Sequence, residues 1–134
     1  QDRGTILVVD DNETVRIFIK DTLFQAGFKV LTANDGQEAV EMVKDKKDEI
    51  DLVVMDLTMP VLGGNEAFSI MRNTNPELKI IISSGYNDED VTSQLAGKGL
   101  SGFIQKPFKP SQLIQKIKAL LESDDSSKLD SSVL

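Results

Sequence analysis

The residues that could do chemistry are the paired acids Asp10-Asp11, the lone acid Asp56, Ser84 and Lys106, and each stands at the end of a short apolar run. Asp10-Asp11 follow Thr5-Ile6-Leu7-Val8-Val9, and Asp56 closes Leu52-Val53-Val54-Met55. Ser83 and Ser84 follow Leu78-Lys79-Ile80-Ile81-Ile82, and Lys106 follows Gly102-Phe103-Ile104-Gln105. Apolar runs this short read as strands buried in a parallel sheet. Ligands of such sheets gather beyond the carboxyl ends of the strands, so these groups meet at one edge. Carboxylates brought together there repel one another and call for a cation. The chain has no cysteine and no histidine. Any metal must therefore be held by oxygen, which favours magnesium, calcium or manganese. Lys106 adds a second positive charge and Ser84 a hydroxyl donor. A nucleophilic carboxylate, a hard cation, a lysine and a hydroxyl are the parts that phosphoryl transfer to an aspartate uses.

Taken singly, these residues have plainer readings. Asp10-Asp11 could cap a helix, Asp56 could start a turn, and Phe103 could be simple core. Ser83 competes with Ser84, because adjacent strand residues point to opposite faces and only one can look into the site.

The elements that must position these groups alternate strand and helix. After the first acids, Asn12 or Asp11 caps a helix whose apolar stripe is Val15, Phe18, Ile19, Thr22, Leu23 and Ala26. Ile17 and Phe24 lie off that stripe on another face, where extra core packing is expected and a partner contact is the alternative. Gly27 ends the helix, and a strand over 28–33 carries a lysine, as an edge strand would. Asp35 with Glu38 opens a second helix as a capping box, burying Ala39, Val40 and Val43. Beyond Asp56, Pro60 stops regular structure, Gly63 and Gly64 permit a tight loop, and a helix over 66–72 buries Ala67, Phe68 and Met71. A helix over 88–96 has only Val91, Leu95 and Ala96 as apolar residues, with Gly97 and Gly99 closing it. Pro110 and Ser111 open a last helix with Leu113, Ile114, Ile117, Leu120 and Leu121 on one face. Five strand–helix units with right-handed crossovers give a doubly wound α/β sheet covered on both faces.

The 134 residues suit one domain. Residues 1–4 read as linker, consistent with a start at Gln1 that suggests a cut from a longer chain. Residues 5–123 form the domain, and serine and aspartate dominate 124–134, which read as a disordered tail or linker. A formal net charge of −7 argues against direct binding of nucleic acid. No run approaches membrane-spanning length and no signal peptide is evident.

Over about 5–123 the sequence resembles the receiver domains of two-component response regulators. The motifs that carry this are Leu7-Val8-Val9-Asp10-Asp11, Asp56 with Met59-Pro60, Ser84-Gly85-Tyr86 and Lys106-Pro107-Phe108, in that order. The resemblance implies a flavodoxin-like (βα)5 sheet of strand order 2-1-3-4-5, an order carried over from the family and not read from the residues. It implies Asp56 as phosphoacceptor and Mg2+ held by Asp10, Asp11, Asp56 and the backbone carbonyl of Thr58, with Asp11 and Asp56 as direct ligands. Lys106 would pair with the phosphoryl group, Ser84 would hydrogen-bond it, and Phe103 would swing inward as the coupled switch aromatic. Thr58 and Tyr86 stand at positions that tune how long the phosphoryl group survives. The thin apolar face of the fourth helix reads either as marginal stability or as a sign that the surface of the fourth helix, last strand and last helix shifts on phosphorylation.

The same resemblance implies a cytoplasmic signalling domain that is not an enzyme in its own right, although it assists its own phosphorylation and dephosphorylation. Without a histidine of its own, it would take its phosphoryl group from a histidine kinase or histidine phosphotransfer domain. Receivers of hybrid sensor kinases are similar in the Ser-Gly-Tyr after the fourth strand and the linker-like start, and such receivers also meet other domains of their own chain; a stand-alone single-domain regulator is the alternative. No membrane contact is implied, and the oligomeric expectation is a monomer or weak dimer. Three positions depart from the family pattern: Gly63 replaces an acid or amide, Leu100 a small alanine, and Phe103 a frequent tyrosine.

Other functions fit less well. An aspartate-nucleophile phosphatase needs a second acid two residues after the nucleophile, and Thr58 is there. A flavin carrier needs a phosphate cradle after the first strand, where Asp10-Asp11 would repel phosphate. A docking module that is never phosphorylated would not need an intact site.

Overall fold

The computed structural model describes residues 3–59, 61–85 and 89–133, with side chains left aside for 89–92 and 123–133. Pro60, Tyr86 and Asp88, singled out from the sequence, lie outside the described residues, as does the Val91 side chain. Five strands, β1 (Thr5–Val9), β2 (Lys29–Ala33), β3 (Leu52–Asp56), β4 (Lys79–Ser84) and β5 (Gly102–Gln105), alternate with five helices. The helices are α1 (Glu13–Gln25), α2 (Gly36–Asp45), α3 (Gly64–Thr74), α4 (Glu89–Ala96) and α5 (Pro110–Val133). All strand pairs are parallel and the order is β2-β1-β3-β4-β5, the flavodoxin-like arrangement.

Alternation along the strands divides the core into two layers. Leu7, Val9, Val53, Met55, Ile80 and Ile82 face Ala39, Val40, Val43, Ala67, Phe68, Met71 and Leu95, so α2, α3 and α4 cover that side. Ile6, Val8, Leu52, Val54, Ile81 and Ile104 face Ile19, Leu23, Leu113 and Ile117, so α1 and α5 cover the other. β1, β3 and most of β4 are fully buried, as expected for strands with helices on both sides. β2 lies at an edge and its Lys29 is exposed, in keeping with the lysine that marked it.

Local signals set the helix ends. Asn12 caps α1, its side chain accepting from the Val15 N–H at 3.1 Å. Asp35 caps α2 by accepting from the Glu38 N–H at 2.8 Å, while Glu38 reaches back to the Asn34 N–H, one residue earlier than in the usual capping box. Two helices end alike. Gly27, at φ 100°, donates to the Phe24 carbonyl and Phe28 donates to Leu23; Gly99, at φ 98°, donates to Ala96 and Leu100 donates to Leu95. Both are glycine-dependent Schellman closures, in which the residue after the glycine packs back on its helix. That role explains Leu100: it is half-buried against the same core as Leu95.

Three sequence expectations need correction. Ile17 and Phe24 do not add to the core; they are 47% and 70% exposed. Phe18, assigned to the buried stripe, is 49% exposed. Each helical residue turns about 100° from the last, so Phe18 sits on the rim of a stripe centred on Ile19 and Leu23. The backbone also stays helical past Glu122 to Val133, where composition suggested a disordered tail. After Pro110 the chain has no glycine or proline to stop a helix, and composition reports core-forming capacity more directly than backbone state.

The α1 contrast is testable by urea denaturation. Phe24→Ser should change stability by no more than about 0.5 kcal/mol. Phe28→Ala, at a position only 3% exposed, should cost roughly 3–5 kcal/mol. Similar losses for the two variants would contradict this placement of α1.

Candidate functional site

Four strand ends build the site. Asp10 follows β1, Asp56 is the last residue of β3, Ser84 the last of β4, and Lys106 follows β5. Asp10, Asp56 and Ser84 are buried, Lys106 is half-buried, and Asp11 and Thr58 are exposed. The Lys106 Nζ lies 3.1 Å from Asp10 Oδ2 and 3.4 Å from Asp56 Oδ1, so one ammonium bridges both buried carboxylates. The Lys106 N–H donates to the Ser84 carbonyl at 2.7 Å, tying the base of the lysine to β4. Asp10 is held from its other side: its Oδ1 accepts from the Asn12 N–H at 2.9 Å, and its carbonyl accepts from Arg16 Nη1 at 2.9 Å.

Electrostatics follow from that geometry. Burial pushes the Asp56 carboxyl above its ordinary 3.8; Lys106 and, more weakly, the Thr58 N–H oppose the rise, and Asp10 adds to it. Burial alone would lower the Lys106 value, but Asp10 and Asp56 outweigh it and hold the ammonium above 10.5. Asp56 is therefore a carboxylate short of positive charge.

A divalent ion would supply that charge. One oxygen from each of Asp10, Asp11 and Asp56 lies within 4.8 Å of the others. Adjacent oxygens around Mg2+ stand about 3 Å apart, so the three carboxylates would draw together around the ion. An all-oxygen set with two buried members fits a hard cation.

The stretch that follows Asp56 is pinned at Gly64. A Cβ on Gly64 would lie 2.7 Å from the Asp56 carbonyl oxygen and 2.8 Å from Leu57 Cα. The Gly64 N–H also donates to the Leu57 carbonyl at 2.9 Å. The sequence marked Gly64 only as permitting a tight loop; its value lies in this close approach to the backbone that bears Asp56.

Strand parity separates the two serines. Ser83 pairs in register with Asp56 and shares with Ile81 the face covered by α1 and α5. Ser84 shares with Ile80 and Ile82 the face where half-buried Phe103, the register partner of Ile82, packs on the core. Ser84 thus stands at the site's edge on the Phe103 side of the sheet, and Ser83 beside Asp56. Also missed was a largely apolar cleft of about 490 Å3 that includes Lys106 and is lined by Val15, Phe18, Ile19, Gly85, Pro107 and Phe108. The aromatic pair Phe18 and Phe108 could have signalled it, but nothing in local spacing joins α1 to the start of α5.

Residues 6–118 match the model of the response regulator receiver domain. The chemotaxis protein CheY of Thermotoga maritima is 35% identical over 113 residues, covering 84% of this chain and 92% of that protein. The sensor kinase CckA of Brucella abortus is 35% identical over 122 residues, 91% of this chain. The chain spans only 13% of that kinase and 17% of another matching sensor kinase, CqsS of Vibrio cholerae. Among solved structures, CheY in a CheX–CheY–BeF3–Mg complex from Borrelia burgdorferi superposes with a TM-score of 0.86 at 27% identity, covering 90% of each chain. Among the described residues, no helix is long and apolar enough to cross a membrane.

The raised Asp56 carboxyl predicts how stability depends on pH. The folded state holds this proton more tightly than the unfolded chain, so the stabilisation is complete below the unfolded value of 3.8 and is lost as pH rises through the folded one. Without divalent cation, Asp56→Asn should be more stable than the parent at pH 7, with the gap shrinking towards pH 4. Added Mg2+ should stabilise the parent and narrow the gap. Urea midpoints for both proteins across pH decide it; an Asn variant that is less stable at pH 7 would refute the assignment.

Proposed function

The chain belongs to the response regulator receiver domain family, and from that premise we propose that it is a phosphoacceptor switch working with Mg2+. The observation that carries this reading is the Lys106 ammonium bridging two buried carboxylates, 3.1 Å from Asp10 and 3.4 Å from Asp56, beside exposed Asp11. The unit that acts is residues 5–123, with 1–4 as linker and 124–134 as an extension beyond the domain.

In the proposed reaction an Asp56 carboxylate oxygen attacks the phosphorus of a phosphohistidine carried by a histidine kinase or phosphotransfer domain. The new P–O bond forms as the P–N bond breaks, and the imidazole leaves with the electron pair. Asp10, Asp11, Asp56 and the Thr58 carbonyl are the residues that would hold Mg2+, whose charge would stabilise the transferring group. Lys106 is already poised between Asp10 and Asp56. It would swing its ammonium from these carboxylates to a phosphoryl oxygen as negative charge builds there. Ser84 is the proposed hydroxyl that joins the phosphoryl group to Phe103, in keeping with their shared face of the sheet. The surface formed by α4, β5 and α5 would then carry the signal outward.

Similarity to sensor kinases supports a place within, or beside, a hybrid kinase, and the chemotaxis relatives support a free-standing regulator. Both settings imply a cytoplasmic domain, monomeric or weakly dimeric, that meets protein partners rather than DNA. Thr58, exposed and without a carboxylate, stands where a phosphatase of the aspartate class would need its second acid.

Intact-mass spectrometry after incubation with acetyl phosphate and Mg2+ tests the proposal. One phosphoryl group should be gained, and neither Asp56→Asn nor an EDTA-treated sample should gain it. Hydrogen exchange around Phe103 should change on phosphorylation in the parent and in Ser83→Ala, but not in Ser84→Ala. A folded, Mg2+-binding protein that takes no phosphoryl group from acetyl phosphate or a phosphohistidine donor would sink the reading.

A further inference from the structure

Gly36 has no obvious reason to be glycine. It occupies the first turn of α2 with a φ outside the left-handed region, and glycine is less favourable in a helix than alanine. It is buried, and it belongs neither to the carboxylate cluster nor to a strand end. The reason for its small size is steric. A Cβ built on Gly36 would lie 2.1 Å from the carbonyl oxygen of Leu62, 3.0 Å from its carbonyl carbon and 3.1 Å from its Cβ. The closest of these atoms is backbone, so it cannot rotate aside.

Leu62 follows Thr58 in the stretch after Asp56, and the Thr58 N–H favours the ionised Asp56 carboxylate. This stretch is restrained at two neighbouring points near its far end. Gly64 lets the chain close against Asp56 and Leu57, and Gly36 lets Leu62 settle on α2. Between Thr58 and Leu62, Val61 adopts φ 70° while 79% exposed. A β-branched residue rarely adopts that conformation, so the backbone is strained here. Partly buried Leu62 packs on the same core as Ala39 and Val40 of α2, which fixes the seat from below.

We infer that Gly36 is a positioning residue for the site: its missing side chain seats the Leu62 carbonyl on α2 and so sets where Thr58 and Asp56 stand. The inference rests on the phosphoacceptor reading for its consequence in rate, and on the carboxylate cluster for its consequence in metal binding. A methyl group at Gly36 would drive Leu62 upward by roughly 1 Å to relieve the overlap. Shifts of that size between reacting groups cost on the order of 100-fold in rate.

The test compares the parent, Gly36→Ala, Gly36→Ala/Val61→Gly and the exposed neighbour Gln37→Ala. Folding is followed by circular dichroism, Mg2+ affinity by calorimetry, and phosphorylation by acetyl phosphate at saturating Mg2+. The double variant guards against misfolding, because glycine at Val61 lets the loop ride over the new methyl. Folded Gly36→Ala, or the folded double variant, should bind Mg2+ at least about fivefold more weakly and accept phosphoryl groups at least about tenfold more slowly. Gln37→Ala should match the parent in both. Parent-like Mg2+ affinity in a folded Gly36 variant overturns the inference. So does loss of folding in both variants, since the contact would then serve the fold rather than the loop. A parent that binds Mg2+ but takes no phosphoryl group defeats the phosphoacceptor reading alone, and the Mg2+ comparison still decides the role of Gly36. A parent that binds no Mg2+ overturns both.

Discussion

Two buried carboxylates held on one ammonium are the constraint around which this domain is built. Asp10 and Asp56 end the adjacent interior strands β1 and β3, where helices on both faces exclude solvent. Left alone, carboxylates so placed would repel and resist charging, and Asp56 remains harder to ionise than usual. Lys106 comes from β5, with β4 between it and β3, and a long flexible stem spans that distance. The pairing is thus a property of the whole sheet. It exists because the parallel order brings every strand's carboxyl end to one edge.

The surrounding structure serves to keep that edge compact and partly starved of positive charge. Backbone donors fasten Asp10 from Asn12, Arg16 ties its carbonyl to α1, and the Lys106 N–H is fastened to Ser84. Two glycines allow the loop after Asp56 to descend until backbone touches backbone. Away from the edge, Schellman closures after α1 and α4 turn the chain sharply into β2 and β5. The fold is regular where it packs and strained, at Val61, beside the chemistry.

Much of this could be read along the chain. The apolar runs became β1, β3, β4 and β5 with their predicted carboxyl ends, and the Asp35–Glu38 and Gly27 signals became a helix start and stop. These succeeded because strand burial, capping and termination depend on a few consecutive residues. Exposure on α1 did not follow from periodicity. Helical spacing says which residues share a face, but α5 and the sheet decide how wide a stripe they cover, so Phe18 and Phe24 remain in solvent. The serine pair was ambiguous for a related reason: alternation separates Ser83 from Ser84 but cannot say which face receives Phe103 until β4 and β5 are in register.

By itself, then, the sequence determined the strand–helix alternation, the acidic and basic groups at the strand ends, and an oxygen-only donor set, since all of these are properties of residue type and short-range order. Only the tertiary structure decided that Lys106 bridges Asp10 and Asp56, that Leu62 rests on Gly36, and that one face of α1 stays open. Those contacts join residues far apart in the chain, and distances of that kind arise from register and packing, which no local pattern encodes.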